Sequence, residues 1–340
     1  MAPRHCSRRT FLRSSSILSS ALVASRRTVR AARPKTYKVQ IVKSVLHGEK
    51  VERVPFTFWH HFRLEKFPGE KHAEATLDFY RKFDVDLLKV MSDFPYPPPQ
   101  GLEKIEDEGD WSKLEVFKNP FPEQVKALRI IQKELKGEAL FVETVFQSWT
   151  VARKLSSKQA VARLKDENPN LLRQVLRTIS QSQANHVRHA LDAGAAGIFL
   201  AVEAADADVM SAEEYQSLVR ESDLVVLDAA NAGGHLNILH MHGSKIHFDE
   251  LIAHPVQVIN YSVYGTGIEL GSAKTKFSGT IMGGLDETRI AKLTRDELKS
   301  EIDSAQRAMQ NRRFILSPGC SVPDDITDAA LQQVKEIVHS

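Results

Sequence analysis

Cysteine is nearly absent from this chain, acidic residues are absent from its first stretch, and long apolar runs are absent throughout. The 340 residues contain two cysteines. Cys6 sits in the basic N-terminal stretch, so the body holds Cys320 alone and cannot form an internal disulfide. No apolar run approaches the length needed to cross a membrane. No glycine fingerprint for a dinucleotide follows the first expected strand. Before Glu49 there is no acidic residue, whereas residues 1–31 carry seven arginines. Without them the formal charge falls from +3 to −4, and a mildly acidic body argues against a nucleic-acid surface.

That basic stretch reads as a targeting segment. Ser7-Arg8-Arg9-Thr10-Phe11-Leu12-Arg13 resembles the twin-arginine export motif, and a short Ser- and Ala-rich apolar stretch follows it. Val29-Arg30-Ala31 offers a small-x-small cleavage pattern. The expectation is a leader over residues 1–31, a single domain over 32–340, and export of the folded protein. A basic tail on a cytoplasmic protein is the alternative.

Within the body, short apolar runs alternate with helical periodicity. Strands are expected at Val54–Phe58, Asp86–Met91, Ala139–Phe146, Gly197–Val202, Leu236–Leu239, Gln257–Val263, Thr280–Met282 and Phe314–Leu316. Amphipathic helices fall between them, among them Ala73–Phe83, Pro122–Leu135 and Thr294–Met309. Eight such units, each strand ending in polar or glycine residues, predict an α/β fold of the (β/α)8 TIM-barrel type. In that fold catalytic groups come from the C-terminal strand ends. Here those ends carry His60, His61, Asp93, Gln147, Glu203, His240, His242, Tyr264, Asp286 and Cys320.

His240 and His242 are the most informative pair. Alternation along a strand puts both on one side, and Gly243 turns the chain at once. Ser317-Pro318-Gly319-Cys320 repeats the design with a thiol. Two imidazoles and one thiolate suit a three-ligand zinc site with an open position, while satisfied core polar groups are the plainer alternative. Asp93 suits either a pocket carboxylate or a loop cap. Of His60 and His61, one is expected to face the barrel mouth. Glu203 suits either an imidazole acceptor or a helix cap. Tyr261 and Tyr264 read as packing residues with polar tips.

The ordered motifs carry a resemblance. Gly48-Glu49 with Glu52-Arg53-Val54-Pro55, then Ser92-Asp93, Ser148-Trp149-Thr150 and Gly283-Gly284-Leu285-Asp286 resemble, in order, motifs of the uroporphyrinogen decarboxylase superfamily. The resemblance implies a TIM barrel, often dimeric, with the Asp93 carboxylate facing the substrate; Trp149 and Asp286 from its motifs, and Glu203 and Tyr264 from their strand-end positions, are the candidate substrate-binding residues. Members either decarboxylate uroporphyrinogen without a metal, or use zinc to move methyl groups between corrinoids and thiols. The decarboxylase's cationic Arg-Gln-Ala-Gly-Arg-Tyr stretch is replaced here by Trp59-His60-His61-Phe62-Arg63. Its Gly-His-Gly is replaced by Gly319-Cys320-Ser321. By contrast, His240-Met241-His242-Gly243 and Gly319-Cys320 resemble the zinc methyltransferases' His-x-Cys-Gly and Gly-Cys, with His242 in the place of a cysteine. One thiolate in place of two leaves the zinc site more cationic. The resemblance therefore implies zinc-dependent methyl transfer with a small thiol, a corrinoid or a corrinoid protein as partner. Tetrapyrrole decarboxylation and a binding-only tetrapyrrole or corrinoid barrel are the alternatives.

Overall fold

In the computed structural model, Pro34 and residues 36–340 are described, so the expected leader lies outside the described residues. Seven strands pair in parallel and in sequential order: β1 (Leu87–Val90), β2 (Leu140–Phe146), β3 (Gly197–Val202), β4 (Ile238–Met241), β5 (Val258–Tyr261), β6 (Thr280–Leu285) and β7 (Phe314–Pro318). With helices between them this is the α/β arrangement of a TIM-type barrel. Among the described residues no helix is long and apolar enough to cross a membrane.

The expected first strand, Val54–Phe58, differs from the other seven. Pro55 has no N–H to give a ladder, and the segment makes one isolated bridge, Phe56 to Leu316. Its hydrogen bonds nevertheless reach both edges of the sheet. Thr57 N–H donates to Leu316 O at 3.0 Å, and Asp86 N–H, just ahead of β1, donates to Phe56 O at 2.9 Å. A buried ion pair reinforces the junction. Both guanidinium ends of Arg53 donate to Asp86 at 2.7 Å, and Phe56 N–H donates to the same carboxylate at 3.0 Å.

Alternation sorts the strands into two faces. One face joins the helices in the larger core; the other packs Leu87, Val142, Phe199, Ile238, Val258, Met282 and Ile315 together inside the barrel. Two residues further along, the inward face becomes polar: Lys89, Thr144, His240, Asn260 and Ser317, all buried. The apolar layer is the floor on which the site stands.

Helix boundaries follow local chemistry. Residues 158–192 form two helices, Lys158–Glu167 and Pro169–Asp192, because Asn168 caps the second and Pro169 opens it. Reciprocal capping boxes at Ser211/Glu214 and Thr294/Glu297 start the helices that follow them.

One buried network braces the C-terminal end of β3. Gln147 Oε1 accepts from Glu203 N–H and Ala204 N–H, while its amide donates to Asp223 at 2.7 Å. Tyr215 O–H also donates to Asp223, at 2.9 Å. Burial outweighs both hydrogen bonds and pushes the Asp223 carboxyl up to about 7. A carboxyl raised on folding contributes stability below its unfolded value of 3.8, and that stability is lost as pH rises through about 7. Asp223→Asn is therefore expected to gain stability relative to the parent between pH 4 and pH 8. Denaturant midpoints at the two pH values check this; an equal difference at both would contradict it.

Candidate metal centre

His240 Nε2 or Nδ1, His242 and Cys320 Sγ offer one ligand atom each within 4.8 Å of one another. His240 lies inside β4 and is buried, while His242 follows the strand end and is exposed at the mouth. Cys320 arrives from two residues beyond β7. Its sulfur stands 3.8 Å from His242 Nδ1. Tetrahedral zinc with ordinary bond lengths needs about 3.6 Å between a sulfur and a nitrogen ligand, so the donor set fits the ion with small adjustment.

The backbone fixes these positions by close approach. Gly243 has φ +130°, and a Cβ there would meet Asp206 Oδ2 at 2.0 Å. A Cβ on Gly319 would meet Ser262 Cα at 2.2 Å. Only glycine lets each ligand's neighbour pass.

One ring's tautomer follows from its surroundings. Asn260 gives its NH2 to Met282 O at 2.9 Å and Pro318 O at 3.1 Å, which turns its oxygen to His240. His240 Nδ1–H therefore donates to Asn260 Oδ1, at 2.7 Å. Nε2 is left as the ligand atom, and stacking on Phe199 at 5.1 Å holds the ring plane. Burial would raise the Cys320 thiol, but the two imidazoles beside it outweigh burial and bring it down to about 4. The same contact raises His242. That direction favours the thiolate, the form that binds metal.

A cavity of about 240 Å³ opens on the three ligands. Its lining includes Trp59, His61, Lys89, Thr144, Phe146 and Glu203. His61 Nδ1–H donates to Asp93 at 2.6 Å, and Phe62 N–H donates to the same carboxylate. Burial acts against ionisation of Asp93, but His61 outweighs it and holds the carboxyl below its usual range. Lys89 sits on the floor with no carboxylate partner among the described residues, its Nζ over Phe199 at 4.6 Å and Trp59 at 5.3 Å. Burial brings its pKa down to about 7.

Other residues named from the sequence lie elsewhere. His60 packs among Phe62 and Phe79 and does not line the cavity, its pKa lowered by burial. Asp93 reaches it through His61 and lines a neighbouring cavity. Glu203 does line it, but is neither an imidazole acceptor nor a helix cap. It accepts from Thr150 O–H at 2.9 Å and pairs with Arg153. Trp149 is buried outside the cavity, and Thr150 beside it lines it. Asp286 accepts from Thr288 and caps the turn after β6, and Tyr264 is exposed outside the cavity.

Two residues escaped the sequence reading. Asn260 was visible as a lone amide within the apolar run Val258–Tyr261. Lys89 was visible as a cation within Leu87–Val90.

Comparison with known proteins identifies the family and the fold. The uroporphyrinogen decarboxylase (URO-D) family matches residues 39–340. The chain belongs to the uroporphyrinogen decarboxylase family. Among solved structures, this URO-D family chain is similar to a methyltransferase from Methanosarcina mazei: TM-score 0.75, 15% identity, 89% of this chain and 98% of that one covered. It is also similar to a B12-independent methionine synthase from Shewanella sp. W3-18-1, with TM-score 0.57, 12% identity, and coverage of 85% and 95%. At these identities the likeness concerns the fold. No curated protein matches the chain.

Proposed function

We propose that this URO-D family protein is a zinc-dependent methyltransferase, moving a methyl group to or from a small thiol with a corrinoid as the other partner. The observation that carries the reading is the convergence of His240, His242 and Cys320 on one cavity. The M. mazei methyltransferase and the methionine synthase share the fold and are named for methyl chemistry. Zinc held by the three residues would lower the pKa of a bound thiol and present it as a thiolate nucleophile.

The chain's own groups supply the rest. Asn260 keeps His240 in the ligating tautomer. Asp93 fixes His61, leaving its Nε2 to take the proton the thiol releases into the cavity. Lys89 offers the floor of the cavity an amine, with no carboxylate partner among the described residues, to bind an anionic substrate group in its protonated form. Phe146 and Trp59 give the cavity apolar walls. Export by the twin-arginine route, which carries folded proteins, is compatible with metal loaded beforehand.

The test is conversion of methylcobalamin and 2-mercaptoethanol to the thioether by zinc-loaded protein. Formation of product above the rate without protein supports the reading. No product with methylcobalamin and any small thiol, from protein carrying stoichiometric zinc, would contradict it.

Lys89 gives a second check. An amine whose pKa is lowered on folding costs stability as pH falls from its unfolded value of 10.5 through about 7. Lys89→Met, close in volume, is expected to raise the denaturation midpoint at pH 7 and to lower turnover. Loss of both stability and activity would show that the lysine is structural.

A further inference from the structure

A second cavity, of about 370 Å³, adjoins the metal cavity and shares Thr144 and Phe146 with it. The methyl-transfer reading makes no use of it. Its apolar walls include four aromatic side chains, Phe94, Tyr96, Phe121 and Phe146, beside Val145, Val151 and Leu155. Its buried polar group of interest is His186, from the helix Pro169–Asp192, which is 1% exposed.

His186 is held as one member of a pair. Glu143, on the outward face of β2, is fully buried, and its two oxygens have different donors. Gln124 amide donates to Oε2 at 2.8 Å, and His186 Nε2–H donates to Oε1 at 2.9 Å. A carboxylate only accepts, so the ring proton of the neutral imidazole sits on Nε2. Nδ1 is then an acceptor. It is buried and has no hydrogen-bond partner among the described residues. A buried acceptor left unmade is costly, and a carboxylate-backed imidazole is an especially good one. Phe121 packs edge-on against the same ring at 4.9 Å, so the acceptor stands among aromatic edges and faces.

We infer that this second cavity binds a small aromatic molecule carrying a hydroxyl, whose ring packs among the four aromatic side chains and whose O–H donates to His186 Nδ1. The ligand would lie one side chain away from the metal cavity, across Thr144 and Phe146. The inference does not depend on zinc or on methyl transfer.

The probes are p-cresol, 4-methylanisole and toluene, which share a ring and differ in whether they donate, accept or do neither. Calorimetric titration of the full chain is expected to show p-cresol binding about tenfold more tightly than the other two, the equivalent of one buried hydrogen bond. His186→Met should reduce p-cresol to the affinity of toluene. A variant-free measurement guards against misfolding: in protein labelled with 15N-histidine, p-cresol should shift one Nδ1 resonance upfield from the free-acceptor position, and toluene should not. The same binding should persist in Cys320→Ala protein, which separates this inference from the metal reading. Equal affinity for the three probes, tighter binding of 4-methylanisole, or no His186 shift with p-cresol would overturn it.

Discussion

Cys320→Ala is expected to lower methyl transfer to a thiol by on the order of a thousandfold or more, the several kcal/mol that a metal contributes to such a step. The thiolate is the one anionic ligand of the three, and without it two neutral imidazoles, one of them exposed, are left to hold a dication. Folding should survive, because Cys320 is only half-buried and its sulfur faces His240, His242 and Ser321 at the cavity rather than the apolar core. His242→Cys is the informative contrast. A thiolate there keeps three good ligands, so zinc should stay, but a second negative charge weakens the ion as a Lewis acid. Thiol methylation should therefore slow without loss of metal. Metal content and rate measured on the same preparations decide the matter; an unchanged rate in Cys320→Ala would remove the thiolate from the mechanism.

Asp86→Ala is expected to cost about 3–5 kcal/mol of folding stability, the usual result of removing one partner of a buried ion pair. The carboxylate accepts three hydrogen bonds, two from Arg53 and one from Phe56 N–H. Its loss leaves the guanidinium in the core with its Nε already unpartnered. The place matters as much as the energy. The Val54–Phe58 segment has one bridge to β7 and one backbone hydrogen bond from Asp86, so the ion pair is a main tie between it and the β1 edge. Urea unfolding gives the number directly. A loss below about 1 kcal/mol, as for an exposed pair, would contradict the assignment.

Much of this architecture was legible in the residues, for reasons that differ by element. His240 and His242 stood out because polar side chains one residue apart at the end of an apolar run have few structural uses, and alternation fixes that they share a side. Gly319-Cys320 was legible for a similar reason, since a lone cysteine in the body draws attention. Lys89 and Asn260 were harder. In a parallel sheet both faces are apolar, so sequence alternation does not reveal which face points into the barrel. Only the register of all the strands shows that Lys89, His240 and Asn260 lie on one ring. The weak first stave was hidden because Val54, Phe56 and Phe58 have strand-like side chains, whereas pairing depends on a proline and on partners more than two hundred residues away. Asp286 and Tyr264 follow strand ends, as site residues do, but β6 runs on through Gly283 and Gly284 to Leu285. The turn after it then spends the aspartate on Thr288.

The central claim is that His240, His242 and Cys320 hold zinc, and X-ray absorption at the zinc edge, with metal content from the same sample, tests it most directly. The account predicts one zinc per chain, with one sulfur neighbour at about 2.3 Å and a remaining shell of nitrogen or oxygen at about 2.0–2.1 Å. It also predicts that the His240→Ala, Cys320→Ala double variant, folded by circular dichroism, carries none. A zinc shell without sulfur, or full zinc retained by the double variant, would contradict it.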